Sequence, residues 1–273
     1  MGAPIRLVSG AALDIGRNPK RPINEDRLAV FEPLAPDCPD HLYLVCDGMG
    51  GHLHGEVASA VAVEEIPRAY REARKGASAE QALRWAIDRA HQEIRRRSRD
   101  LGLGDRMGTT VVAAAVAGQE LVVVNVGDSR AYLVRAGKIR QISKDHSRAV
   151  ELQRQTSEGE DPPVDAQGRH VLTRSLSASR DSVEPDVFVD KFREGDGLIL
   201  CSDGLWGCVP DASMLHVVSQ LRPPAAANRL VQMANRAGGP DNISVIVVRR
   251  GAPASAQVED DTGEMLAITL PQV

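Results

Sequence analysis

Four short runs rich in aliphatic and β-branched residues follow one another along the chain, at 109–116, 121–126, 131–134 and 139–142. Glycine-containing turns separate most of them, which is typical of antiparallel strands connected as a meander. Helical periodicity occurs in pairs on both sides of this region, at 55–74 and 79–99 and again at 211–220 and 225–236. Because strands and helices do not alternate regularly, the sequence predicts the α+β class: a four-layer αββα sandwich with two central antiparallel β-sheets flanked by helices.

Further short apolar runs predict strands at 28–31, 42–46, 187–189, 198–201 and 243–248. Pro67 falls inside the first helical pattern and predicts a kink or break near Ile66. The spacing of the second helical pattern places Trp85 on its apolar face. From Ser147 to Arg169 the periodicity is lost, which predicts an exposed flap with some helix at its start.

Charge and hydropathy exclude several classes of function. The net charge of −4 gives no bulk attraction to nucleic acid or to an anionic membrane. No run approaches the ~18 apolar residues of a membrane helix, and the N-terminus lacks the pattern of a signal peptide, so a cytoplasmic protein is expected. We expect residues 1–250 to form one domain and residues 251–273, which lack periodicity, to be a disordered tail.

The four cysteines are too few and too scattered for a disulfide framework. None of them has Cys-x-x-Cys spacing, which argues against a zinc site or thioredoxin-like chemistry. Cys46 and Cys201 lie inside apolar runs, so we expect reduced thiols in the core.

Acidic residues recur where predicted strands begin or end, most of them next to or near glycine. The sites are Asn24-Glu25-Asp26, Asp47-Gly48, Gly127-Asp128, Asp203-Gly204 and Pro240-Asp241-Asn242. A carboxylate at such a place costs desolvation free energy unless something compensates its charge, and glycine lets the backbone approach a ligand closely. Mg²⁺ and Mn²⁺ take oxygen ligands of this kind. A single Asp-Gly pair is more often a plain turn, so it is the five sites together that favour a divalent-cation centre.

The same segments form an ordered set of motifs. They are Arg21-x-x-Asn24-Glu25-Asp26, Asp47-Gly48-Met49-Gly50-Gly51-His52, Gly108-Thr109-Thr110, Val126-Gly127-Asp128-Ser129-Arg130, Leu172-Thr173-Arg174, Ser202-Asp203-Gly204-Leu205-Trp206 and Asp241-Asn242-Ile243-Ser244. Over roughly residues 5–250 this set closely resembles the metal-dependent protein phosphatases of type 2C, particularly the compact bacterial members. The fold of that family, a sandwich of two antiparallel sheets flanked by helices, agrees with the layers predicted above.

The resemblance implies a role for each matching carboxylate. Asp47 would bridge two Mn²⁺ or Mg²⁺ ions, with the backbone carbonyl of Gly48 on one of them. Asp203 and Asp241 would complete the protein ligands of one metal, and Glu25 would hold the other through water.

Other matching residues would support or extend this centre. Asp26 and Asn242 would stand behind the ligands, and Arg21 would grip the substrate phosphate with its planar fork of donors. Asp128, together with Asp203, matches positions that hold a third, weaker metal in bacterial relatives.

Three positions depart from the pattern of the family or have an ordinary explanation. Met49 stands where animal members usually have a histidine proposed as the general acid, so the proton donor stays open. Gly207 stands where some relatives carry another acidic residue, so occupancy of a third metal site also stays open. Trp206 is expected to be a packing anchor rather than a substrate contact.

The resemblance implies direct attack on phosphorus by a water that bridges the two metals, with Asp47 and Arg21 as catalytic residues. The Cys-x5-Arg loop and the Gly-Asp-x-His-Gly signature of other phosphatases are absent from the sequence, as are a Walker A loop and His-Glu-x-x-His. We therefore expect a monomeric serine/threonine protein phosphatase that acts on phosphorylated proteins and opposes a serine/threonine kinase.

Two other functions remain open. A pseudo-enzyme that binds phosphoproteins without turnover is disfavoured because every metal-ligand motif is complete. A hydrolase of small phosphate esters would use the same chemistry, and the sequence does not separate it from a protein phosphatase.

Overall fold

A computed structural model of the chain describes residues 6–49, 54–104, 107–155 and 171–251. Its strands are β1 (Leu7–Asp14), β2 (Arg27–Phe31), β3 (His41–Cys46), β4 (Gly48–Met49), β5 (Gly108–Thr109), β6 (Val111–Ala117), β7 (Glu120–Val126), β8 (Arg130–Arg135), β9 (Lys138–Gln141), β10 (Leu176–Ser177), β11 (Asp186–Lys191), β12 (Gly197–Cys201) and β13 (Ile243–Arg250). Its helices are α1 (Gly55–Arg74), α2 (Ala79–Asp100), α3 (Arg148–Gln155), α4 (Asp203–Trp206), α5 (Asp211–Gln220) and α6 (Pro223–Arg236).

Two five-stranded antiparallel sheets form the centre of the fold. The first has the strand order β1-β13-β12-β8-β9 and the second β11-β7-β6-β3-β2, while β10, β5 and β4 form a small third sheet. The α+β class and the sandwich are confirmed. The predicted meander is divided, however, because β6 and β7 belong to the second sheet and β8 and β9 to the first. The chain changes sheet at the turn that carries Asp128.

The layers follow from strands that are apolar on both faces. In β6, Val112, Ala114 and Val116 pack in the core between the two sheets, whereas Val111 and Ala113 pack in a second cluster with α1 and α2. A strand covered on both sides must be apolar throughout, which explains why alternation is missing from this run. A third cluster joins the outer face of the first sheet to α5 and α6.

Two predictions about the helices are wrong, one of them only in part. The predicted break near Ile66 does not occur, because Ile66 and Tyr70 are fully buried and the packing of α1 holds the turn at Pro67 that lacks one hydrogen bond; a kink there stays a prediction. Trp85 is 38% exposed rather than on the buried face of α2. Its large ring lies at the edge of the apolar stripe.

Strand β1 was not predicted, although it pairs with β13 along its whole length. Its residues are mostly small and do not alternate clearly. Gly10 explains part of this, because a side-chain carbon there would lie 2.3 Å from the Pro224 backbone at the start of α6. A position that must be glycine to admit a neighbouring backbone cannot contribute to the apolar pattern by which strands are predicted from sequence.

The expected helix at the start of the flap is confirmed by α3 (Arg148–Gln155). The rest of the flap, at 156–169, and the tail predicted as disordered, apart from Gly251, lie outside the described residues. Over the described ranges, no helix is both long and apolar enough to cross a membrane.

Candidate active site

An open cleft of about 830 Å³ lies where β3 and β12 end and β13 begins. Its walls carry the residues that the sequence assigned to metal and phosphate: Arg21, Glu25, Asp47, Gly48, Asp128, Asp203 and Asp241. Met49 lines the same cleft. The remaining two, Asp26 and Asn242, lie directly behind it. Residues from both ends of the chain therefore meet in one place, as the sequence predicted; their individual roles stay predictions.

The backbone of Asp47 is fixed by the neighbouring strands β5 and β6. The backbone N of Thr110 donates to Asp47 O at 2.8 Å, and Thr109 Oγ1 donates to the same oxygen at 2.9 Å. Asp47 N in turn donates to Thr110 Oγ1 at 3.1 Å. None of these bonds uses the carboxylate, which is left to face the cleft.

Two glycines beside the aspartates are required by close contacts of the backbone. A side-chain carbon at Gly48 would lie 2.4 Å from Gly55 O and 2.6 Å from Glu25 O. At Gly204 it would lie 2.0 Å from Asn242 O. These distances are far below van der Waals contact, so any larger residue would push apart the segments that carry the carboxylates. The Asp-Gly pattern is therefore a packing requirement of the site as well as a turn.

Asp26 ties the two sheets together behind the cleft. Its Oδ2 accepts hydrogen bonds from Ser202 Oγ at 2.8 Å and from Ser244 Oγ at 2.7 Å. Ser202 Oγ also accepts from Ser244 N at 3.0 Å, so all three residues form one buried network. Within the described part of the chain, Asp26 Oδ1 is buried and has no hydrogen-bond partner. The two serines stand in motifs that the sequence analysis quoted, but nothing there indicated that their hydroxyls bind one carboxylate.

Asn242 positions two of the acidic residues. Its Oδ1 accepts from Glu25 N at 2.9 Å, and its Nδ2 donates to Ile15 O at 2.9 Å. Its backbone N donates to Asp241 Oδ1 at 2.8 Å. Glu25 and Asp241 are therefore held by the same side chain and backbone unit.

Burial and mutual repulsion raise the pKa values of the clustered aspartates. Burial, followed by the charge of Asp203, raises the pKa of Asp128 to about 7 and that of Asp241 to about 6. The pKa of Asp26 rises to about 7, mainly through burial and against its two serine hydrogen bonds. Burial and then the charge of Asp26 raise the pKa of Asp47 well above its ordinary value. The basic side chains that line the cleft, Lys20 and Arg21, therefore do not offset the negative charge of its carboxylates.

Arg21 lies at the rim of the cleft and pairs with one of these carboxylates. Its Nη1 is 2.9 Å from Asp241 Oδ1, and its side chain is 43% exposed. The charge of Arg21 lowers the pKa of Asp241, although burial and the charge of Asp203 outweigh it. The guanidinium is thus near the acidic cluster and open to a ligand from solvent.

The carboxylates of the cleft fit hard divalent cations. They supply oxygen ligands with concentrated negative charge, and their raised pKa values mean that a cation would relieve an existing repulsion. The buried Asp26 Oδ1 adds an unsatisfied acceptor behind them. Within the described ranges, no three His, Cys, Asp or Glu side chains already form a ready-made ligand group. The carboxylates that line the cleft come from separate segments of the chain, and Arg21 Nη1 is 2.9 Å from Asp241 Oδ1.

Comparison with known protein families and sequences gives consistent matches. The family model of protein phosphatase 2C matches residues 23–243. The serine/threonine phosphatase stp of Listeria innocua is 36% identical over 233 residues, which cover 83% of this chain and 90% of that protein. The serine/threonine protein phosphatase PstP of Mycobacterium tuberculosis is 35% identical over 212 residues, 76% of this chain and 40% of that protein.

Comparison with solved structures finds a phosphatase with a similar fold. A crystal structure of the catalytic domain of the serine/threonine protein phosphatase PstP, in complex with two manganese ions, superposes with a TM-score of 0.76. It is 31% identical, and the superposition covers 91% of this chain and 100% of that one.

Proposed function

The chain belongs to the protein phosphatase 2C family, whose members are serine/threonine protein phosphatases, and from this premise we propose that it removes phosphate from phosphoserine and phosphothreonine with two bound Mn²⁺ or Mg²⁺ ions. The observation that carries the proposal is the meeting of four carboxylates in one cleft, with Arg21 at its rim: Glu25, Asp47, Asp203 and Asp241. The two manganese ions in the PstP structure support the choice of cofactor.

In this proposal both cations would share Asp47, and the carbonyl of Gly48 would bind one of them. Asp203 and Asp241 would bind one cation, and Glu25 would hold the other through water. Each of these residues lines the cleft, and none of the backbone hydrogen bonds that fix Asp47 engages its carboxylate. A third, weaker cation would use Asp128 together with Asp203.

When bound, the two cations supply an activated water as nucleophile and neutralise the phosphoryl oxygens. The chain itself binds and orients the substrate. Arg21 presents a planar fork of N–H donors to the phosphate at the open rim of the cleft. Met49 has no proton to donate, so the serine or threonine oxygen that leaves must take its proton from water or from another donor.

We expect the purified protein to release inorganic phosphate from a phosphothreonine peptide only when Mn²⁺ or Mg²⁺ is present. EDTA should abolish the release, and an excess of Mn²⁺ should restore it, because the clustered carboxylates need cations to hold the nucleophile and the phosphate together. Phosphate release is measured with and without metal on the same preparation. A folded protein that shows no metal-stimulated turnover on any phosphopeptide tested would leave the pseudo-enzyme as the better description.

Replacing Arg21 by alanine is expected to raise KM for a phosphopeptide by about tenfold, with a smaller change in kcat, because the phosphate loses a charged, forked donor. Since Arg21 Nη1 lies 2.9 Å from Asp241 Oδ1, it competes with a cation for that carboxylate. Its removal should therefore not weaken the binding of Mn²⁺ measured by calorimetry. Arg21→Lys, which keeps the charge but not the fork, should be intermediate. An unchanged KM in Arg21→Ala would remove Arg21 from the substrate site.

The proposal includes a monomer in the cytoplasm that opposes a serine/threonine kinase. The cysteines support a reducing compartment, because Cys38, Cys46, Cys201 and Cys208 are all free thiols and the first three are buried.

A further inference from the structure

Trp206 contacts the turn that carries Asp128. It is the last residue of α4, a helix of one turn whose first residue is Asp203. The indole Nε1 of Trp206 donates to the backbone O of Asp128 at 3.0 Å, and Gly207 N closes the helical turn on Asp203 O at 2.8 Å. One short helix therefore carries one aspartate at its start and holds the other by its end.

The ring of Trp206 is itself fixed by Arg130. The guanidinium carbon of Arg130 lies 3.6 Å from the centre of the indole ring, which is close cation–π stacking. The edges of the guanidinium are also bound: Nη2 is 2.7 Å from Asp145 Oδ2, and Nη1 donates to Tyr132 Oη at 3.1 Å. Stacked on one face and bonded at its edges, the guanidinium has little freedom to move the ring beneath it.

The partner of Arg130 is held in turn. Asp145 is a buried residue, and its Oδ1 accepts from Gln141 Nε2 at 2.7 Å at the end of β9. Arg130 Nε lies 3.1 Å from both oxygens of Asp145, which makes the pair bidentate. The stack on Trp206 is therefore supported by β8, which carries Arg130, and by β9, the edge strand of the first sheet.

The other side of the Asp128 turn leads to Asp47. Ser129 Oγ lies 2.7 Å from Thr110 Oγ1, the atom that also accepts from Asp47 N at 3.1 Å. The turn is thus connected to Asp47 through two hydroxyls and to Asp203 through Trp206. The distance from Asp128 to Asp47 therefore depends on the two hydroxyls, whereas the distance from Asp128 to Asp203 depends on Trp206.

We infer that Trp206, Arg130 and Asp145 form a latch that holds the Asp128 turn against α4 and sets the distance between the Asp128 and Asp203 carboxylates. Trp206 and Arg130 are positioning residues, since neither is placed among the cation ligands or at the phosphate. The inference rests on the proposed function, in which these two aspartates bind the third cation. Gly207 supplies no further carboxylate, so the spacing of this pair determines the affinity of the site.

Fluorescence can report on the latch because the sequence contains only two tryptophans. Trp85 is the natural one to remove: it lies on α2, is 38% exposed, and stacks loosely on Arg89 at 5.8 Å. In a Trp85→Phe protein the remaining emission comes from Trp206. Paramagnetic Mn²⁺ on Asp203 and Asp241 should quench it first, and Mn²⁺ bound between Asp128 and Asp203 should add a weaker phase. The midpoint of this weakest phase, taken as the quenching midpoint, gives the affinity of the third site without any measurement of activity.

In the Trp85→Phe protein, Arg130→Lys keeps a positive charge but loses the planar stack and the bidentate pair. We expect the Mn²⁺ midpoint for quenching to rise by about tenfold. Independently, Trp206→Phe keeps an aromatic ring under Arg130 and removes only the N–H donor. Calorimetry of this variant should show the weakest Mn²⁺ site about tenfold weaker and the tighter sites unchanged, while its unfolding midpoint in EDTA stays close to that of the unmodified chain.

The outcomes separate a failure of the latch from a failure of the proposed metal centre. Asp128→Asn in the Trp85→Phe protein should abolish the weakest quenching phase and keep the tighter one; a weakest phase that persists would come from another site and would overturn the latch. Unchanged Mn²⁺ affinities in both Arg130→Lys and Trp206→Phe would overturn the latch and leave the proposed function standing. If the unmodified chain binds no Mn²⁺, the proposed metal centre falls and the latch with it. Should Arg130→Lys fail to fold, the calorimetry of Trp206→Phe decides alone.

Discussion

Replacing Asp47 by asparagine is expected to lower kcat for phosphopeptide hydrolysis by roughly 10³-fold at saturating Mn²⁺. Asparagine has the size of aspartate and one of its acceptor oxygens, but it lacks the charge that two cations would share. The fold should be unaffected, because the bonds that hold this position run between the backbone of Asp47 and Thr109 or Thr110. The measurement is kcat under initial-rate conditions, with circular dichroism to verify the fold.

The same variant should be more stable than the unmodified chain when metal is removed. Burial and the charge of Asp26 raise the pKa of Asp47 well above its ordinary value, so ionising this carboxylate costs more free energy in the folded chain than in the unfolded chain. An inactive variant with a higher unfolding midpoint in EDTA would show that the lost activity is not lost structure.

Asp181→Asn is the matched control for Asp47→Asn. The Asp181 side chain is 99% exposed, and its partner Arg95 lies on α2, away from the cleft. The same chemical change there should leave both kcat and the unfolding midpoint unaltered. Asp47 would be excluded from the centre if Asp47→Asn kept more than about a tenth of the activity, since a ligand shared by two cations contributes far more than that.

Much of the site was accessible from the sequence because carboxylates at strand ends leave a local signal. Asp47 and Asp203 follow apolar runs, and the glycine after each of them is required by backbone contacts of 2.4 and 2.0 Å. Burying an aspartate in such a place costs desolvation free energy unless a partner or a bound cation compensates its charge, and a few residues of sequence are enough to show this pattern. The layers of the fold could also be predicted, because helices and strands have different periods of apolar residues and their order along the chain can be read from these.

The supporting contacts were not accessible because they join distant parts of the chain. Ser202 and Ser244 reach Asp26 across 176 and 218 residues. Each serine alone has the appearance of an ordinary polar residue beside a strand. Trp206 was expected to be a packing anchor, and only the structure shows that its N–H reaches Asp128 O. Strand β1 was missed because its residues are mostly small: Gly10, for example, is required by the close contact with the backbone of Pro224 and adds nothing to an apolar strand pattern.

The stability of the metal-free protein is expected to fall as pH rises from about 4 to about 7. Asp26 and Asp128 have folded-state pKa values of about 7, compared with the ordinary aspartate pKa of 3.8. Between these values the folded chain binds more protons than the unfolded chain, so the free energy of unfolding decreases with increasing pH. For Asp26 alone, the loss between pH 5 and pH 8 is on the order of 3 kcal/mol, or roughly 10 °C in the unfolding midpoint.

Histidines act in the opposite sense and must be separated from this effect. Burial lowers the pKa values of His41 and His91, so their contribution to stability rises with pH until they are neutral in both states. The informative quantity is therefore the difference in free energy of unfolding between Asp26→Asn and the unmodified chain, measured in EDTA at several pH values. The histidines are the same in both proteins and cancel.

Asp26→Asn should gain stability relative to the unmodified chain as pH rises from 5 to 8. The asparagine oxygen can still accept from Ser202 and Ser244, whereas its amide replaces the buried Oδ1 that has no partner among the described residues. That amide adds a cost of about 1–3 kcal/mol that does not depend on pH, so only the slope of the difference is diagnostic. Saturating Mn²⁺ should reduce this slope only in part, because bound cations offset the charges of Asp203 and Asp241, whereas burial, the largest cause of the raised pKa of Asp26, remains. A difference that does not change with pH would mean that Asp26 is ionised throughout, and that burial does not raise its pKa in the folded chain.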